Sequence, residues 1–247
     1  MEDIPNSYPL NSKQRIQVDS HINDRIYVDK EKVRSFLNSL RYPLFFMDFE
    51  SFMPAAPFYE GTWAFQQILF QFSVHILHDK HSEPVHHEFL AGVGSDPRPE
   101  FIKQLLKVIE GDSDIVVFNA TFEVARLKEL AWYLPNYSQD IESVILRVKD
   151  LMIPFRERHF YDPRMIGSNS LKAIVPVLTP ELNYNDLEIS NGNSAMNAFE
   201  QLLNEHDNDK IYRIRTALLQ YCQRDTISLV RILQKLDELA NGLSETI

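Results

Sequence analysis

Two acidic residues, Asp48 and Glu50, lie in a short apolar run that begins at Leu44. In a β-strand, side chains two positions apart leave the same face of the sheet, so this pair points in one direction. Two ionised carboxylates in a buried strand cost free energy unless positive charge compensates for them, and a divalent cation would do so. The alternative is that both residues follow the last turn of the strand and are simply solvated.

Two further groups carry the same kind of chemistry. Glu123 is predicted to fall in the first turn of a helix that follows Asn119, where the alternative is that Asn119 or Thr121 caps the helix and Glu123 favours its positive end. Tyr221 and Asp225 are four residues apart in a late helix and therefore share a face. Their alternative is a tyrosine at the edge of the core, hydrogen-bonded to an aspartate one turn on.

The elements that must position these residues follow from hydrophobic periodicity. Residues 44–50 and 114–118 are predicted as buried strands, and strict alternation over 68–77 predicts a half-buried strand, with 85–90 paired antiparallel to it. Residues 1–20 are predicted to be a loose arm, so that an arm and short helix (1–40) precede one domain (41–247). The predicted helices cover residues 29–40, 99–109, 121–133, 138–148 (with a short strand near Asp150 as an option), 168–178, 194–204 and 210–239. This order indicates an α/β fold, a mixed sheet flanked by helices.

Taken in chain order, the three motifs resemble those of the DEDD exonuclease superfamily: D-x-E at a strand end, N-x-x-F-E at a strand-to-helix junction and Y-x-x-x-D in a late helix. The spacing matches the tyrosine (DEDDy) branch, because Gln220 stands where the histidine branch has His. Residues 42–52, 70–75 and 167–172 are similar to an uncharacterised bacterial predicted-nuclease domain of that superfamily, which often follows a RecB-type nuclease region.

The resemblance implies a ribonuclease H-like α/β fold, with an antiparallel meander plus parallel strands flanked by helices. It also implies a 3′–5′ exonuclease that hydrolyses DNA or RNA from the 3′ end with two Mg²⁺ or Mn²⁺ ions. The implied metal ligands are Asp48, Glu50, Glu123 and Asp225, and Tyr221 would orient the attacking water. The superfamily usually has Asp where this chain has Glu123. The longer side chain can still reach a metal, but it alters the geometry expected for the second metal site. The candidate substrate contacts are Phe49, Asn119, Phe122, Asp150 and Lys172.

The composition of the chain excludes several classes of protein and several kinds of site. The chain has 247 residues and a net charge of -10, which argues against a protein that coats nucleic acid through a broad basic face. Its single cysteine, Cys222, excludes an internal disulfide, a thiolate zinc knuckle and a cysteine-ligated iron–sulfur cluster. Without a long apolar run or a secretory signal, we expect a cytoplasmic protein with no membrane partner and leave its oligomeric state open. Two rival hypotheses remain. One is a non-catalytic nucleic-acid-binding scaffold with a decayed site, and the other is an endonuclease or another phosphoesterase on the same fold.

Overall fold

The computed structural model describes residues 4–5 and 7–242. Within this part of the chain the strands are β1 Tyr27–Val28, β2 Leu44–Phe52, β3 Ile68–Leu77, β4 Val85–Leu90, β5 Ile115–Val117, β6 Val148–Asp150 and β7 Phe160–Tyr161. The helices are α1 Ser12–Ile22, α2 Lys30–Asn38, α3 Arg98–Val108, α4 Thr121–Tyr133, α5 Ser138–Leu146, α6 Ile153–Arg156, α7 Leu171–Leu178, α8 Gly192–Leu202 and α9 Asn208–Asn241. Across these residues, no helix combines the length and the apolar character that crossing a bilayer requires.

A five-stranded mixed sheet has the order β4-β3-β2-β5-β6. Strands β2, β3 and β4 form an antiparallel meander, whereas β5 runs parallel to β2, with Phe45 opposite Ile115. Helices flank the sheet, α3 packing on β3 and α8 on β2. The prediction of an α/β mixed sheet flanked by helices is therefore confirmed, as are the bounds of β3, β4 and α4.

One face of the sheet carries the apolar core. Phe45, Met47 and Phe49 alternate along β2 toward this face and are buried together with Phe101 of α3 and Leu127 of α4. Because side chains alternate along a strand, Asp48 and Glu50 leave β2 on the other face.

That other face of β3 is polar and buried, so the prediction of a half-buried strand is wrong. Helix α9 covers it: the side-chain amide of Gln71 donates to the carbonyl of Leu218 at 2.9 Å. Ser73 Oγ and His75 Nδ1 lie 2.7 and 2.8 Å from Thr226 Oγ1. Hydrogen bonds to one helix thus allow an alternating strand to be buried on both faces.

The described residues form two compact units. The first unit contains the described residues within 1–41, 150–183 and 231–247, and the second contains residues 42–149 and 184–230. In the first unit, β1 pairs antiparallel with β7, which periodicity did not predict. The loose arm predicted for residues 1–20 is wrong from Ser12 onward, because α1 begins there with a reciprocal capping box between Asn11 and Gln14. The domain boundary at residue 41 stays a prediction.

Candidate metal and catalytic site

Strand β2 supplies the first two carboxylates of the site. Both lie inside the strand, which continues to Phe52, so the interpretation of solvated residues beyond its last turn is wrong. The side chain of Glu50 is buried and that of Asp48 is partly exposed. Their spacing of two directs both toward the face of the sheet on which α9 packs.

Helix α9 supplies the second group. Tyr221 and Asp225 are one turn apart and both are buried. Between them, the fully buried Cys222 places its Sγ 3.8 Å from Oδ2 of Asp48. One ligand atom each from Asp48, Glu50 and Cys222 lies within 4.8 Å of the others. The D-x-E and Y-x-x-x-D motifs, more than 170 residues apart, therefore meet at one point.

Glu123 reaches the site from the first turn of α4. The backbone of Asn119 is left-handed, with φ 67°, so the chain turns abruptly from β5 into the helix. The N-cap residue is Ala120, which has no side chain that can cap, so neither Asn119 nor Thr121 occupies the predicted N-cap position. Glu123 is 2% exposed, which a carboxylate that merely favours the positive end of a helix does not require.

The pKa of Asp48 indicates which other acids lie near it. Burial, followed by the charges of Asp225, Glu50 and Glu123, raises the pKa of the Asp48 carboxyl well above its usual range. Since Coulomb repulsion falls with distance, this ordering indicates that Asp225 and Glu50 are the acids that act most strongly on Asp48 and that Glu123 contributes as well. The structure thus places Asp225, Glu50 and Glu123 near enough to Asp48 to act on its charge, and of these acids Glu50 has a ligand atom within 4.8 Å of one on Asp48.

The hydroxyl of Tyr221 stays protonated in this environment. Burial and the charges of Asp225, Glu50 and Asp48 all raise the pKa of Tyr221 far above its ordinary value. A phenol that keeps its proton donates a hydrogen bond and does not act as a general base near neutral pH.

Tyr184, which no sequence motif indicates, belongs to the same cluster. Its buried hydroxyl donates to Oδ1 of Asp225 at 2.5 Å, and its ring lies 6.2 Å from the ring of Tyr221, tilted by 56°. The residue lies in a polar stretch without periodicity, and the one available signal was an aromatic residue between Asn183 and Asn185.

The five candidate substrate contacts occupy different positions. Phe49 is buried and packs edge-on against Phe101 at 5.2 Å between ring centres, on the face of β2 opposite the carboxylates, which favours a packing role. Asn119 is exposed and Phe122 is partly exposed beside Glu123.

The other two candidates, Asp150 and Lys172, belong to the first unit. There Asp150 accepts a hydrogen bond from the backbone of Met152 and pairs with Arg156 at 3.4 Å. Lys172 is exposed on α7.

The donor set fits a hard divalent cation. Four carboxylates supply oxygen, the ligand that Mg²⁺ and Mn²⁺ prefer, and their crowding makes a positive charge between them favourable. One charged pair ~5 Å apart costs about 3 kcal/mol at an effective dielectric of 20.

Comparisons with known proteins give a family but no activity. No solved structure matches the chain. The chain is 26% identical over 191 residues to an "Uncharacterized protein UU173" of Ureaplasma parvum serovar 3; the match covers 69% of the chain and spans about a quarter (27%) of the length of that relative. Residues 45–170, just over half of the chain, match the family described as "Domain of unknown function (DUF2779)". The chain therefore belongs to the DUF2779 family.

Proposed function

We propose that this protein is a metal-dependent 3′–5′ exonuclease that hydrolyses phosphodiester bonds of DNA or RNA on a ribonuclease H-like fold. The observation that carries the proposal is the convergence of four acids from three separate elements, Asp48 and Glu50 of β2, Glu123 of α4 and Asp225 of α9. The meander of β2, β3 and β4 with β5 parallel to β2 agrees with the mixed sheet that the resemblance implies.

The four carboxylates would hold two Mg²⁺ or Mn²⁺ ions, whose four positive charges balance their four negative charges. When bound, such ions activate water and stabilise the charge that develops on the phosphate and on the leaving oxygen. Glu123, one methylene longer than the usual Asp, reaches the cluster from the first helical turn and keeps the count of acids complete.

The other residues have roles that follow from their protonation and placement. Tyr221, which keeps its phenolic proton, would donate a hydrogen bond that orients the attacking water. Asn119 is exposed just before α4 and Phe122 is partly exposed in its first turn; in this proposal the amide would bond to the last nucleotide and the ring would stack on its base.

A thermal unfolding measurement tests whether the protein binds a divalent metal ion. Mn²⁺ added to the wild-type protein in thermal unfolding should raise Tm by several degrees, because a ligand that binds the native state stabilises it. D225N should lose most of this shift, whereas D209N, an exposed aspartate on the same helix, should retain it. No shift in the wild type would favour the decayed scaffold.

A cleavage assay tests whether the protein is a 3′–5′ exonuclease. A linear single strand labelled at its 5′ end should yield a ladder of progressively shorter products, while 3′-blocked and circular strands should stay intact. D225N should cleave more than about 100-fold more slowly, since loss of a group that merely supports a metal ligand already costs about 10–100-fold. Cleavage of the circular strand would replace the exonuclease with an endonuclease, and wild-type turnover by D225N would overturn the site assignment.

A further inference from the structure

A segment outside the three motifs contacts the carboxylate cluster. Tyr184 lies between the motif of α4 and that of α9, and its phenol donates to Oδ1 of Asp225 at 2.5 Å. The side chain is 9% exposed, so water competes little for this hydrogen bond. A hydrogen bond to a carboxylate is about twice as strong as one between neutral groups.

Ion pairs fix the segment from Tyr184 to Gly192 against α9. Arg224 donates from both terminal nitrogens to Asp186 at 3.0 and 2.9 Å, in the bidentate geometry that restricts both partners most. Arg213 donates to Glu188 at 2.9 Å. Two ion pairs therefore hold the segment against α9 at positions just after Tyr184.

The far end of the segment lies beside another of the four acids. Gly192 begins α8, and the position that a Cβ would take there is 3.9 Å from Oε2 of Glu50. One short stretch of chain thus borders Asp225 at its start and Glu50 at its end.

We propose that Tyr184 is a positioning residue for Asp225: its hydrogen bond sets the rotation of that carboxylate before a divalent cation binds. The inference rests on the proposed function and extends it to a residue that the motifs do not include. Tyr184 acts through Asp225, whereas Tyr221 would act on the attacking water. A carboxylate held in advance loses less conformational entropy when it becomes a ligand, so metal binds more tightly.

The test is the affinity for Mn²⁺ alone, measured by isothermal titration calorimetry on the full chain. Y184F removes the hydroxyl and keeps the ring, and we expect its Kd for Mn²⁺ to rise about 10–100-fold. Y212F removes a hydroxyl from an exposed tyrosine of α9 and should bind as the wild type does. Unfolding in EDTA establishes that both variants are folded.

Two further measurements separate positioning from a general structural effect. In a D225N background, adding Y184F should change the Kd by less than about 2-fold, because the two residues act as one unit. In the cleavage assay, saturating Mn²⁺ should restore the kcat of Y184F close to the wild-type value, while the Mn²⁺ concentration for half-maximal rate stays raised. An unchanged Kd in Y184F overturns the positioning role and leaves the nuclease proposal standing. A wild-type protein that neither binds Mn²⁺ nor cleaves overturns both.

Discussion

At the scale of single residues, the site is defined by acids that the fold holds close together against their repulsion. Asp48 shows this most clearly, since burial and three neighbouring carboxylates all raise its pKa. In the metal-free protein, the native state therefore keeps a proton on Asp48 to a higher pH than the unfolded chain does.

This gives a pH dependence of stability with a definite sign. Where the native state binds more protons than the unfolded state, the free energy of unfolding falls as pH rises. The contribution of Asp48 is therefore fully present below the ordinary carboxyl pKa of about 3.9 and is lost as pH rises through the raised native pKa.

Urea unfolding in EDTA from about pH 4 to 8 checks this, with wild type and D48N compared so that other groups cancel. The wild type should lose more stability across this range than D48N does. In saturating Mn²⁺ the wild-type trend should reverse, because the metal binds the deprotonated acids. Parallel curves for the two proteins in EDTA would contradict the repulsion described above.

At the scale of elements, the contact between β3 and α9 connects the sheet to the helix that carries two site residues. Thr226, one position after Asp225, lies within hydrogen-bond distance of both Ser73 and His75 and is completely buried. Replacing its hydroxyl with a methyl group leaves two buried polar groups without this partner.

T226V should therefore lower the free energy of unfolding by about 1–3 kcal/mol. T216V, at a half-buried threonine of the same helix, is the matched control and should have a smaller effect. Urea unfolding at constant pH measures both. Equal losses in the two variants would mean that the hydrogen bonds of Thr226 do not set the stability of this contact.

The same contact shows how far sequence patterns reach. Alternation predicted the bounds of β3 correctly. The prediction that the strand is half-buried was wrong because nothing local shows that α9 covers Gln71, Ser73 and His75 and bonds to them. Helix α1 was missed for a related reason: its sequence has no apolar periodicity, and its capping box is the local signal that remains.

The candidate site likewise contains residues that sequence motifs indicate and one residue that only tertiary contacts bring there. Spacing alone predicted that Asp48 and Glu50 share one face of a strand and that Tyr221 and Asp225 share one face of a helix. Glu123 was added to the candidate site by the resemblance to the DEDD exonucleases. Tyr184 was not predictable, since it reaches Asp225 across 41 residues from an irregular segment. Its role depends on tertiary contacts that no periodicity encodes.

At the scale of the whole molecule, the net charge of -10 limits how nucleic acid can be held. Several arginines that could contact phosphate are already paired with acids, for example Arg224 with Asp186 and Arg213 with Glu188. Binding through few phosphate contacts releases few counterions.

We therefore expect a weak salt dependence. The slope of log K against log salt for a single strand, measured by fluorescence anisotropy with D225N in Ca²⁺ to prevent cleavage, should be about -1 to -2. A slope steeper than about -4 would require six or more phosphate contacts and would reveal a basic surface that the composition does not suggest.

The burial of Cys222 beneath Asp48 has a practical consequence. Cys222 is the sole cysteine of the chain, so a thiol reagent can modify the protein at this one position. Because the side chain is buried, α9 must separate from β2 before a reagent can reach it. The rate at which a disulfide reagent labels the folded protein therefore reports how often this corner of the molecule opens. Slower labelling in the presence of a cation would register occupancy without a nucleic acid or a cleaved bond.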